Sequence, residues 1–178
     1  YQLDLAAMPA FRQLRTNLQR NIQKATKAGW TAAISRDTAA FTGLIEQSHP
    51  AILTSPEALQ RASAVGDQLL TRCLGTLWAC HDQDGRMRAG VLLGRDDTTT
   101  YYLMGAAEPE ARRQGALSLL LWQGIQHAAA FCSTFDFEGS MHPGIEHFFR
   151  GFGARPVPYL RVYRNQLPLR RLWAIFWY

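Results

Sequence analysis

The chain has 178 residues, 47% of them hydrophobic and 19% charged, and its 19 basic against 14 acidic side chains give a formal charge of +5. That is the composition of one compact domain with a real core, and it excludes a disordered chain. Cys73, Cys80 and Cys132 stand at no paired spacing, which excludes a disulfide framework and a zinc module, and no run of about 18 apolar residues offers a spanning helix.

The chain opens on Tyr1 with no signal-peptide pattern, which is read as a cytoplasmic, reducing setting and as part of a longer protein. The basic balance favours anionic partners: phosphate-bearing cofactors, nucleic acid or lipid headgroups. Over residues 10–28, Phe11, Leu14, Leu18, Ile22 and Ala25 recur at helical spacing and Gly29 follows as a stop. Arg12, Arg20, Lys24 and Lys27 gather opposite that stripe, with Arg15 at its edge, either as a solvated face or as a phosphate-facing surface. Two more helices are predicted over 35–47 and 55–73, started by Asp37 and by Ser55-Pro56-Glu57 and joined near His49-Pro50.

After Leu74 the pattern changes to strands at 77–81, 88–94 and 99–104, and Asp84-Gly85 between the first two signals a hairpin, so an antiparallel meander is predicted. The helical period returns over 111–132, and a strand at 134–138 completes a crossover. A helix opening at His142-Pro143-Gly144 runs through Phe149 and ends at Gly151 and Gly153, and a last strand lies at 159–164. Pro156 and Pro158 give that strand an irregular entry. The tail 167–178 holds Trp173, Ile175, Phe176 and Trp177 behind Arg170 and Arg171. It is expected to pack on the domain, with a peripheral membrane contact or a contact to a missing segment as alternatives. The order of helices, meander, helix, strand, helix and strand is that of an α+β fold with a mixed sheet.

The segment richest in chemistry runs from Tyr101-Tyr102-Leu103-Met104 through Gly105-Ala106 into Arg112-Arg113-Gln114-Gly115-Ala116. A loop leaving a strand and entering a helix, with basic residues and a glycine in the first turn, offers backbone N–H groups to an anion. Gly115 reads equally as a helix-packing glycine and the arginines as solvated.

The element order and this strand-loop-helix resemble the GNAT acyltransferase fold, whose cofactor loop reads Gln/Arg-x-x-Gly-x-Gly/Ala. Arg112-x-x-Gly115 fits, and Leu117 stands where the family has Gly or Ala. Arg15 through Lys24-Ala25 with Gly29, Tyr101 through Gly105-Ala106, and Phe135-Asp136-Phe137-Glu138-Gly139-Ser140 followed by Gly144-Ile145 and Phe148 to Ala154 resemble the FemAB-like, BioF2-like branch. The resemblance covers roughly residues 10 to 165. It implies a single GNAT-like domain over 1–178, with N-terminal helices at about 10–73, a sheet core at about 74–165 and a tail at 166–178. It implies transfer of an acyl group from acyl-CoA to a small-molecule or peptide-like amine, with no metal. An aminoacyl-tRNA donor serving a cell-wall precursor and a non-catalytic GNAT-like binding module are its alternatives. It assigns Met104, Gly105, Ala106, Arg112, Arg113, Gln114, Gly115, Ala116 and Leu117 to the donor, with backbone N–H groups near Met104 to Ala106 as oxyanion donors.

Acyl transfer to an amine needs a proton acceptor and donors for the oxyanion. Alternation along the strand at 134–138 sends Phe135 and Phe137 to one face and Asp136 and Glu138 to the other, about 7 Å apart at Cα. Glu138, nearer the strand's end, is the first candidate base and Asp136 the second, with a structural hydrogen-bonding role for Asp136 equally open. Arg20, Lys24, Tyr102 and Glu146 stand as substrate-binding candidates, His147 pairs weakly with Glu146, and His142 reads as a turn residue. Cys132 reads as core and Ser140 lacks a nucleophile elbow, so direct attack without a covalent enzyme intermediate is expected. DNA readout is not expected, since no helix-turn-helix or finger spacing is present.

Overall fold

The computed structural model describes residues 1–48, 55–139 and 143–158. The loop at His49-Pro50, Ser140, His142, the expected strand at 159–164 and the tail lie outside the described residues. The strands are β1 Gln2–Asp4, β2 Ala33–Ser35, β3 Gly75–His81, β4 Met87–Arg95, β5 Thr99–Ala107 and β6 Thr134–Asp136. The helices are α1 Thr16–Lys27, α2 Thr38–Ser48, α3 Pro56–Thr71, α4 Pro109–Arg113, α5 Ala116–Ala128 and α6 Pro143–Gly151. One six-stranded sheet in the order β1-β6-β5-β4-β3-β2 holds them together. The β5–β6 pair is parallel and the other neighbours are antiparallel.

Strand alternation divides the core into two layers. On β3, Trp78 and Cys80 join Val91 and Leu93 of β4 beneath α1, α5 and α6, while Leu77 and Ala79 join Leu92 and Ala106 beneath α2 and α3. The first layer is aromatic, with Phe135, Phe137, Phe149 and Phe152 buried together. Burial there pushes the Cys80 thiol up to about 12. Against the second layer Gly90 makes room for Phe41, whose ring would stand 2.5 Å from an added Cβ.

Local chemistry explains the starts and stops. Ser55 Oγ accepts from the Ala58 N–H at 3.2 Å with Pro56 in the first turn of α3, and Asp37 Oδ1 accepts from the Ala40 N–H at 2.8 Å at the start of α2. At the end of α1, Gly29 takes φ +86°, its N–H reaches Thr26 O and the Trp30 N–H reaches Ala25 O, a Schellman closure. Gly85 takes φ +76° in the β3–β4 turn.

Four expectations are corrected. The helix expected over 10–28 begins as a 3-10 turn at Phe11–Gln13 and restarts at Thr16, because the Arg15 N–H is drawn to Gly151 O at 3.1 Å. The helix expected over 111–132 is two helices, broken at Gly115 with φ +85°. The strand expected over 134–138 ends at Asp136, whose Oδ1 accepts from the Glu138 N–H at 2.7 Å and leaves Glu138 at φ +61°. The sheet is also wider than the meander and crossover predict, because β1 and β2, three residues each, close its edges.

Candidate functional site

The site is built where two parallel strands part. Among the described residues β5 pairs with β6 at Thr99, Thr100 and Tyr101 and then runs on to Ala107 along β4, whereas β6 stops at Asp136. A crevice beyond the carboxyl ends of parallel strands is where open α/β sheets take ligands. A register slip between Leu92 and Leu93 leaves Leu103 as an extra residue on β5 beside that gap. Tyr102 turns under α6, its ring meeting Phe149 edge-on at 6.0 Å. Its hydroxyl closes over Gly105, where an added Cβ would lie 2.4 Å away. Burial pushes the Tyr102 phenol up to about 12, against the opposing charge of Arg112.

From β5 the chain enters α4, whose start is tied down from the side. Arg88 donates through Nε to Asp82 Oδ2 at 2.6 Å and through Nη1 to Glu108 Oε2 at 2.5 Å, and the Glu108 N–H donates to Arg88 O at 2.9 Å. The N–H of Arg86 and the Arg88 guanidinium hold Asp82 below the usual carboxylate range.

Gly115 then opens α5. Its left-handed φ and the Asn21 carbonyl oxygen, 2.3 Å from where a Cβ would sit, make any side chain unworkable. No side chain caps α5, so the first-turn N–H groups and the positive end of a 13-residue helix are left for an anion. The Leu117 side chain packs against the α1/α5 core layer. The larger residue is therefore accommodated at the position where the resembled loop has Gly or Ala. Arg112 and Arg113 are exposed beside this turn, with Arg113 paired to Glu110. Helix α1 braces it: Lys24 Nζ donates to Arg113 O at 2.9 Å and Trp30 Nε1 to Gln114 Oε1 at 2.6 Å.

The other wall is the turn after β6. Asp136 accepts from Gln2 Nε2 at 2.8 Å on one oxygen and from the Glu138 N–H on the other, so both oxygens hold the turn. Glu138 is exposed, and the Tyr1 nitrogen donates to its carbonyl at 2.7 Å. Glu146 on α6 is held below the usual carboxylate range by a hydrogen bond from Tyr1 and by the charge of Arg150. His147 takes a 3.1 Å contact from Arg15 Nη1.

The fold thus gathers Lys24, Arg113, Gln114, Gly115 and Ala116 around the start of α5, and Asp136 and Glu138 at the end of β6. Met104 and Ala106 send their side chains to the α2/α3 layer. Arg20 stays on the exposed face of α1. Sequence reasoning missed Gln2, Asn21 and Trp30. Gln2 had a signal in the alternation Gln2-Leu3-Asp4-Leu5, but Asn21 acts through its carbonyl and leaves no mark in the sequence. Among the described residues no group of three His, Cys, Asp or Glu side chains is arranged to hold a metal, and no helix is long and apolar enough to cross a membrane.

Solved structures share this architecture at low identity. FemX superposes with a TM-score of 0.69 at 14% identity, covering 85% of this chain, and the chain spans 57% of FemX. The aminoglycoside 6'-N-acetyltransferase AAC(6')-Ih from Acinetobacter baumannii gives 0.58 at 16% identity over 79% of this chain and 100% of its own. AAC(6')-Iy, solved with the bisubstrate analog CoA-S-monomethyl-acetylneamine, gives 0.58 at 12% identity over 78% and 99%. No curated protein matches the chain in sequence. The family model for the acetyltransferase (GNAT) domain matches residues 12–150, and with that match over most of its length, carrying both walls of the gap, the chain belongs to the GNAT acetyltransferase-domain family.

Proposed function

We propose that this domain transfers an acyl group from a CoA thioester to an amine acceptor by direct attack. The observation that supports the reading most is the uncapped start of α5 at Gly115, set below the point where β5 leaves β6. The residues present fit the donor: the α5 N-terminus and Arg112 would hold its pyrophosphate, and β5 from Met104 to Ala106 would lie along its thioester arm. The donor supplies the activated carbonyl. In the transfer the amine nitrogen bonds to that carbon, the carbon–sulfur bond breaks, and one proton leaves the nitrogen.

Glu138 is the proposed acceptor of that proton, since both oxygens of Asp136 are engaged in holding the turn. Asp136 is thereby a positioning residue. Titration with CoA, acetyl-CoA and longer acyl-CoAs, read by thermal shift, tests the donor. A CoA-dependent rise in melting temperature that Gly115→Val removes is expected, and no response to any CoA derivative would overturn it.

A second reading, an aminoacyl-tRNA donor in the FemAB-like manner, is favoured by the exposed bases Arg20, Lys24 and Lys27 on α1, which braces the loop, and Arg12 on the 3-10 turn before it. Binding of bulk tRNA that weakens steeply with salt, without any CoA response, would select it.

A further inference from the structure

At the opposite end of the sheet, where β3 begins, β4 ends and β5 begins, a small cavity lies between the strands and α5. Its lining includes Gly75, Arg95, Thr100, Gly124, His127 and Phe131. Thr100 is 3% exposed, and its hydroxyl, on the cavity wall, has no hydrogen-bond partner among the described residues. The indole N–H of Trp78 is likewise buried without a partner, and it lies 3.7 Å from the position a Cβ on Gly124 would take. A buried hydroxyl left unmet on a cavity wall, with a second unmet donor close to Gly124 of that wall, is uncommon in folded proteins. The cavity, about 10 Å³, admits one water-sized group.

The cavity shares Gly75, Thr76, Arg95, His127 and Phe131 with a wider groove of about 370 Å³, a volume in the range of small-molecule sites. The groove adds Ile34, Leu70 and Cys73 as walls and Arg36 at its side. Among the described residues, Arg36, Arg95 and His127 line the two spaces and no carboxylate does. Arg95 is fixed in place, donating through Nη2 to Cys73 O at 3.0 Å and lying 5.2 Å over the Phe131 ring. Ile34 and Phe131 are 57% and 42% exposed, a large apolar exposure beside two guanidinium groups.

We infer that this groove is a binding site for a small carboxylate with an apolar body. The carboxylate pairs with Arg95, held in place by Cys73 O and the Phe131 ring, and with the exposed Arg36 at the groove's side. The apolar body rests on Ile34, Leu70 and Phe131. The Thr100 hydroxyl donates to the group that fills the inner cavity, either a carboxylate oxygen or a water beneath it, and the Trp78 indole close to Gly124 reports on it. The site is separate from the donor loop: Thr100 opens β5, whereas Gly105 to Ala107 close it.

The test is a titration of the full chain with 4-phenylbutyrate and, as a neutral match, 4-phenylbutyramide, followed by the indole N–H resonance of Trp78, assigned with Trp78→Phe. A saturable shift is expected with the carboxylate, at least about tenfold tighter than with the amide. Arg36→Met and Arg95→Met should each weaken it by about tenfold or more, with the amide of Gly115 unmoved throughout. Arg36 is exposed, so its variant folds even where Arg95→Met does not. No shift at about 10 mM carboxylate, equal affinity for acid and amide, or unchanged affinity in Arg36→Met would overturn the site. Because the readout uses no CoA, its failure and failure of the proposed transferase activity are told apart.

Discussion

Two turns follow the strands that part, one after β5 and α4 and one after β6, and they are built from opposite materials. The turn at Gly115 is made of backbone: a left-handed glycine, a helix start and the Asn21 carbonyl against it, braced by Lys24 and Trp30 from α1. The turn at Glu138 is made of side chains: a left-handed glutamate whose amide is tied to Asp136, which is tied to Gln2. A backbone cradle suits a group that never varies, such as a pyrophosphate, because its donors cannot be changed by substitution. A polar, exposed turn suits a variable partner, since each of its contacts can change singly.

The contrast is broken most severely at Gly115. Gly115→Val puts a branched side chain into a left-handed conformation against the Asn21 backbone and should cost about 3 kcal/mol of stability, measured by chemical denaturation. Donor-induced thermal stabilisation should vanish with it.

Glu138 sharpens the comparison, because there the left-handed position is held by a residue for which it is unfavourable. Glu138→Gly should stabilise the fold by about 1 kcal/mol while lowering turnover about 100-fold. Cys73, also left-handed at φ +57° but remote from the gap, supplies the control: Cys73→Gly should stabilise without touching turnover. Unchanged turnover in the Glu138 variant would remove it as the base.

Gly105→Ala forces the Tyr102 hydroxyl off the strand and should cost about 1–2 kcal/mol, with weaker donor binding in a calorimetric titration. At the polar turn, Asp136→Ala should cost about 1 kcal/mol by freeing two donors. Asp136→Asn, once the Gln2 amide turns over, should be nearly neutral, and the two variants separate a structural from an acid–base role.

The smallest effect lies at Asp96 on the β4–β5 turn. The N–H groups of Thr98 and Thr99 and the Tyr101 hydroxyl hold its carboxyl at about 2, below the ordinary 3.8. A lowered pKa contributes stability that is present above about pH 4 and lost as pH falls toward about 2. Acid titration of Asp96→Asn should flatten the wild-type decline over that window.

The parts of the architecture that rest on long periodic segments were legible in the sequence. The α1 stripe of Leu18, Ile22 and Ala25, the meander with its Asp84-Gly85 turn, and the loop ending in Gly115 all carry local signals of spacing or turn chemistry. Breaks imposed by competing hydrogen bonds were not. Arg15 leaves the helical ladder because Gly151 takes its amide, and β6 stops early because one side-chain oxygen outcompetes the sheet. The edge strands β1 and β2 are each three residues long, and the brief alternation Gln2-Leu3-Asp4-Leu5 is too short to stand out as a strand. At the site, residue types pointed to Glu138 and Asp136, but their division of labour depends on Gln2, more than 130 positions away.

Those short edges have a consequence for assembly. Among the described residues the outermost strands β1 and β2 have three residues each, and Gln2 of β1 is already bridged by Arg155 on its outer side, so each offers a passing chain few backbone groups to template a further strand. Growth of the sheet from copy to copy through these two strands is thereby discouraged, where a longer bare edge would seed fibrils.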